Sequence, residues 1–211
     1  MALAGTAAAA DLSTRPVAPY YKAPVYAPVA YNWSGFYLGI NGGGGWGSSS
    51  WDSTGGFGTS GGLVGGTVGY NYQMGQAVIG LEGDIDWADI NGTVTSGACP
   101  TGCQTSDSWL STVRGRLGYA ADRFLPYVTG GAAFGDIRAS NPGFPGGSAT
   151  NTGWTVGGGI EFAAAGHWTA KAEYLYVDLG NFTCGIACNG VPGDAVSFRS
   201  NILRGGLNYR F

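Results

Sequence analysis

The sequence predicts an all-β protein, an eight-stranded antiparallel up-and-down transmembrane β-barrel. Three observations carry this. From Gly35 to Phe211 apolar residues recur with period two, the pattern of strands with one apolar face. The connections between these stretches alternate short and long, and both ends of the series fall on the short side. Aromatic residues gather near the stretch ends, where rings with one polar edge suit a membrane–water boundary.

The strands follow in order. "FYLGINGGGGW" places Phe36, Leu38, Ile40 and Trp46 on one face, and "VGGTVGYNY" does the same with Val64, Val68, Tyr70 and Tyr72. "IGLEGDIDW" sets Ile79, Leu81, Ile85 and Trp87 against Glu82, Asp84 and Asp86; "WLSTVRGRLGY" sets Trp109, Val113, Leu117 and Tyr119 against Arg114 and Arg116. In "LPYVTGGAAFGD" the parity is less marked, and Val128 and Phe134 make the even face the more apolar. "WTVGGGIEF" gives Trp154, Val156, Ile160 and Phe162 against Glu161. "WTAKAEYLYVD" gives Trp168, Ala170, Ala172, Tyr174 and Tyr176 against Lys171 and Glu173. The last strand gives Leu203, Leu207, Tyr209 and Phe211 against Arg204 and Arg210.

The short connections are "QMGQ", "AADRF" and "AAAGH"; the long ones are "GSSSWDSTGGFGTSG", "NGTVTSGACPTGCQTSD", "ASNPGFPGGSATN" and "GNFTCGIACNGVPGDA". A soluble sandwich has no reason to sort its loops by length, whereas an outer-membrane barrel keeps short turns in the periplasm and long loops outside. Closure also removes the sheet edge that a terminal strand ending on an exposed Phe would otherwise present.

Composition agrees. Charged residues make up 11% of the 211, against an ordinary level of about a quarter, and aromatics reach 13%, so the chain does not have the make-up of a disordered polymer. No apolar run reaches the roughly 18 residues of a spanning helix. A net charge of −3 without a basic cluster argues against nucleic acid as a partner. At the start, Ala8, Ala9 and Ala10 before Asp11 resemble the tail of an export signal that lacks its basic region, so residues 1–10 are assigned as a signal-peptide remnant. Residues 11–34, with Pro16, Pro19, Pro24 and Pro28, are expected to be an extended periplasmic tether, and residues 35–211 the barrel.

Little in the chain points to catalysis. The one histidine, His167, lies in a short connection, so no Ser–His–Asp constellation is evident. The run Gly42–Gly45 lacks the Lys-Ser/Thr of a phosphate loop; its glycines are better explained by packing in a curved sheet. No cofactor is expected, and the protein is not expected to be an enzyme. Cys99 and Cys103 form one close pair in a long connection and Cys184 and Cys188 another. Export favours two local disulfides over a Cys₄ zinc site, which the spacing would also permit.

On the parity opposite the apolar faces stand five acids, Glu82, Asp84, Asp86, Glu161 and Glu173, and five bases, Arg114, Arg116, Lys171, Arg204 and Arg210. The interior of an eight-stranded barrel is just wide enough for side chains to fill. These ten are expected to pair across neighbouring strands, the acids of the third strand with Arg114 and Arg116, and Lys171 and Glu173 with Glu161 and Arg204, and so to close the lumen.

The motifs "NWSGFYLGINGGGGWG", "GLEGDIDWADI", "TVRGRLGYA", "YVTGGAAFGD", "KAEYLYVDLG" and "LRGGLNYRF" occur in an order that resembles the alphaproteobacterial outer-membrane immunogenic proteins, a porin-like family of small β-barrel surface antigens. The resemblance covers residues 32 to 211 and extends to the Pro-rich lead; the incomplete signal and the paired loop cysteines depart from it. It implies an eight-stranded barrel in the outer membrane, surrounded by outer-membrane lipid, whose terminal strand with Leu207, Tyr209 and Phe211 is read by the barrel-assembly machinery. The expected function is that of a structural barrel and surface antigen. Its loops would be extracellular, open to host or environmental surface ligands, and its termini periplasmic. The alternative is a narrow porin-like channel for small solutes; a barrel enzyme is a more remote one.

Overall fold

Eight strands follow one another around the wall: β1 (Gly35–Trp51), β2 (Gly55–Met74), β3 (Ala77–Ser96), β4 (Cys99–Tyr119), β5 (Phe124–Ser140), β6 (Gly147–Ala165), β7 (Trp168–Cys184) and β8 (Asp194–Arg210). The computed structural model describes residues 31–51, 55–96, 99–140, 147–184 and 194–211. Each strand pairs antiparallel with the next, and β1 pairs with β8 from Tyr37↔Arg210 to Trp51↔Val196, which closes the barrel.

The apolar faces point outward. Phe36, Leu81, Trp87 and Val128 are among many large apolar side chains exposed on the outer wall, while the large side chains of the opposite parity are buried inside. Even residues of β5 face out, which settles the strand whose alternation is least regular. Aromatic rings form two girdles. At the short-turn end Phe36 packs on Tyr70 and Phe124 on Phe162, and Tyr209 lies between Trp168 and Phe211. Toward the long-loop end Trp87 is the register partner of Trp109, and Trp154 packs on Tyr176. From Trp154 to Phe162, or Trp168 to Tyr176, is eight residues. At about 3.3 Å per residue and a tilt near 40°, this gives an apolar belt roughly 20 Å tall, comparable to that of outer-membrane barrels.

The short turns fall where expected. Gly75 and Gly166 adopt φ of 62° and 55° in the β2–β3 and β6–β7 turns, and Asp122 adopts φ 54° in the β4–β5 turn. The long connections differ from expectation. Strand pairing continues through most of them, so only residues 52–54, 97–98, 141–146 and 185–193 lie outside the described strands. The antiparallel ladder runs on beyond the belt, where there is no apolar face left for the sequence to reveal. Cys99 and Cys103 accordingly lie within β4 and Cys184 ends β7, rather than in open loops. The side chains of these three, and all of Cys188, lie outside the described residues.

Inward glycines lie beside inward charged residues. Gly43 pairs with Arg204, Gly65 with Asp86, Gly131 with Arg114 and Gly206 with Lys171. A Cβ on Gly131 would run into the Val113 carbonyl and the Arg114 backbone, and one on Gly43 into the Leu203 carbonyl and Arg204. Outward Gly66 is different: its nearest neighbour would be the Gly39 carbonyl oxygen at an ordinary 3.8 Å. Gly131→Val is therefore expected to abolish the folded barrel, while Gly66→Val preserves it, as measured by refolding yield and heat-modifiable gel migration. Equal yields would contradict this account of the glycines.

Candidate functional site

The inner wall divides into three levels. The middle one holds the charges. Arg114 on β4 reaches three carboxylates: Nη2 donates to Glu82 Oε1 at 2.5 Å and Asp84 Oδ2 at 2.7 Å, and Nη1 to Glu173 Oε1 at 2.8 Å. Its Nε donates to Thr112 Oγ1. Arg204 on β8 also reaches three: Nη1 donates to Asp86 Oδ2 at 2.6 Å, Nη2 to Asp84 Oδ2 at 2.8 Å and Nε to Glu173 Oε2 at 2.9 Å. Lys171 on β7 donates to Glu82 Oε2 on β3 at 3.0 Å. All of these side chains are buried.

Arg116 forms a second centre. Its Nη2 donates to Glu161 Oε2 at 2.5 Å, its Nη1 to the Tyr37 hydroxyl at 3.2 Å, and its guanidinium lies 3.8 Å from the Tyr127 ring centroid. Thr169 and Asn208 donate to the other oxygen of Glu161. The Tyr37 hydroxyl donates to Glu82 and that of Tyr127 to Glu173, which ties the two centres together.

The partners differ in part from those expected. Arg114 meets Glu82 and Asp84 on the neighbouring strand, and Arg204 meets Glu173. Asp86, however, is held by Arg204 rather than by Arg114 or Arg116. Lys171 stands beside Glu161 in register but pairs with Glu82 across the lumen. A long side chain in so narrow an interior reaches the far wall as readily as the adjacent strand. Arg210 stands apart: it has no ion pair among the described residues, and its guanidinium lies 5.3 Å from each of the Tyr31 and Trp33 rings.

Above the charges, toward the long loops, lies an apolar level that sequence reasoning missed: Leu63, Leu110, Ala133, Leu175, Val177, Leu179 and Ile202. Leu175 and Ile202 are the next inward residues after Glu173 and Arg204. Their signal is hidden because in "YLYV" both parities are apolar, so alternation disappears there. Below the charges lies a second apolar level of Val78, Ala120, Leu125 and Ala163, covered by the fully buried Trp33. Tyr31 and Trp33, from the segment assigned to the tether, thus pack against the barrel, whose first strand begins at Gly35. The Pro-rich stretch before it gives no periodicity by which to see this.

The terminal strand presents Leu207, Tyr209 and Phe211 outward, Phe211 at 75% exposure, and the Phe211 amide donates to the Phe36 carbonyl at 3.0 Å. Among the described residues no cluster of metal-binding side chains occurs.

Comparison with known proteins agrees with this architecture. Residues 3–211 match the outer membrane protein beta-barrel domain family. The chain is 37% identical over 215 residues to the 31 kDa outer-membrane immunogenic protein of Brucella melitensis biotype 1, covering 90% of this chain and 89% of that one. The chain belongs to the outer-membrane immunogenic protein family. Another relative, the 22 kDa outer membrane protein of Rhizobium leguminosarum bv. viciae, is 41% identical over 155 residues, covering 72% of this chain and 68% of that one. Among solved structures, Neisserial surface protein A superposes with a TM-score of 0.51 at 16% identity, covering 84% of this chain and 98% of that one, a likeness of fold. The family places this immunogenic-protein homologue in the bacterial outer membrane.

Proposed function

We propose that the protein works as a structural element and surface antigen of the outer membrane, with its lumen closed by side chains, its long-loop end extracellular and its short turns and termini periplasmic. The observation that carries the closed lumen is the crossing of the interior by Arg114–Glu173 and Lys171–Glu82, whose strands are not neighbours. The apolar levels above and below add to it. The sorting of connection lengths supports the orientation. Relatives named for their immunogenicity support exposure of the loop end at the cell surface.

On this reading outer-membrane lipid surrounds the apolar belt, host or environmental surface ligands meet the loops, and nucleic acid is no partner. The barrel-assembly machinery reads Leu207, Tyr209 and Phe211 on the terminal strand. No catalytic role is proposed: the five lumen carboxylates, on which acid–base chemistry there would draw, are engaged by guanidinium and ammonium groups.

The rival reading, a narrow pore for small solutes, requires a continuous water path. Refolded barrels in planar bilayers are expected to show no steady conductance. Stable, ion-selective steps that Arg114→Ala alters would establish the pore instead. Deleting Phe211 is expected to lower the amount of heat-modifiable, membrane-inserted protein in cells, and an unchanged amount would remove the assembly role.

A further inference from the structure

We propose that Tyr31–Ser34 is a stopper that seals the short-turn mouth of the barrel and, through Arg210, locks the seam between β1 and β8. Its attachments lie on separate elements. The Trp33 amide donates to Gln73 Oε1 at 2.7 Å, at the end of β2. The Trp33 indole Nε1 donates to the Asp122 carbonyl at 3.0 Å, in the β4–β5 turn. The Gln73 backbone N–H in turn donates to Ser34 Oγ at 3.0 Å. Both Trp33 donors are thus satisfied while the ring is fully buried, as a buried indole requires.

The backbone is shaped for this contact. Gly35 holds φ 134°, which L side chains rarely adopt, where the chain leaves the wall and turns under the mouth. Asp122, with φ 54°, is the one described non-glycine residue at positive φ, and its carbonyl is the acceptor for the indole.

The mouth needs a cover. Val78, Leu125 and Ala163 point inward at the last level before the turns, where an open barrel would expose them to water. They are buried in a cluster with Trp33.

Arg210 makes the stopper a lock. It is the last residue of β8, and its guanidinium faces two rings that precede β1, so the contact bridges the junction at which the barrel closes. Its Nε and Nη1 are buried without a hydrogen-bond partner. The rings are therefore the principal compensation for its charge among the described residues, a cation–π arrangement. This inference deepens the closed-lumen reading, but it concerns the lower level only.

The test is a thiol placed above the stopper, Asn71→Cys or Ala163→Cys, in the full-length barrel with the four native cysteines changed to serine. Both positions are inward and buried, and the Asn71 amide has no hydrogen-bond partner to lose. In folded barrels with native Trp33 the thiol is expected to resist a water-soluble methanethiosulfonate. Trp33→Ala should raise the labelling rate roughly tenfold or more, as local opening becomes easier. Arg210→Gln should raise it more than Arg210→Lys, an ordering that simple loss of packing would not give. Equal rates in Trp33→Ala and its parent, both heat-modifiable, would overturn the proposal.

A second measurement needs no substitution at Trp33. With the stopper in place, labelling should begin at urea concentrations below the global unfolding midpoint, and labelling only with global unfolding would count against a separate stopper. Conductance keeps the two readings distinct. Trp33→Ala barrels that label quickly yet do not conduct support both, whereas Trp33→Ala barrels that label quickly and conduct, from a parent that does neither, would support the stopper and refute closure of the lumen by the charged level.

Discussion

A charge buried inside a narrow barrel must be compensated within that barrel, by an opposite charge or, for Arg210, by aromatic rings. This constraint governs most of the structure. Leaving one partner of a buried ion pair alone costs about 3–5 kcal/mol, a large part of the stability of a small domain. Arg114 and Arg204 answer it by each gathering three carboxylates, with Asp84 and Glu173 shared between them. The planar guanidinium suits this role, because it can donate to several oxygens in fixed directions where an ammonium acts as a point charge.

The wall is built around that network. A glycine on one flanking strand gives each of these guanidinium groups room against the inner surface, Gly43 beside Arg204 and Gly131 beside Arg114. Tyr37 and Tyr127 occupy the remaining space with aromatic rings whose hydroxyls complete the carboxylate hydrogen bonds. Apolar residues bound the charges above and below, which keeps the pairs away from water and strengthens them. The outer face is independent of all this: it needs only apolar side chains and two aromatic girdles to sit in lipid.

The strands, their parity and the ten inward charges were legible in the sequence because lipid outside and charge inside give period-two contrast. Legibility failed wherever that contrast vanished. Around Leu175 both faces are apolar, so this part of the upper level was invisible. Beyond the belt the sequence is rich in Gly, Ser and Thr and shows no face, so strand extensions such as Asn91–Ser96 read as loop. Trp33 lies in an irregular segment, and its burial depends on Gln73 and Asp122, distant in sequence. Parity places Arg210 inward but says nothing of its neighbours, which are rings from the other end of the barrel segment. Partner choice was only partly legible for the same reason: adjacency along the wall predicts Arg114 with Glu82, but not Lys171 with Glu82 across it.

The claim that charges bind one wall to another is tested most directly by a double-mutant cycle on Arg114 and Glu173, with Arg114→Met and Glu173→Leu unfolded by urea in lipid vesicles. Each single change should be strongly destabilising, and the double change much less so than their sum, with a coupling of about 2 kcal/mol or more. Additivity within about 0.5 kcal/mol would mean that the two side chains do not hold the lumen together.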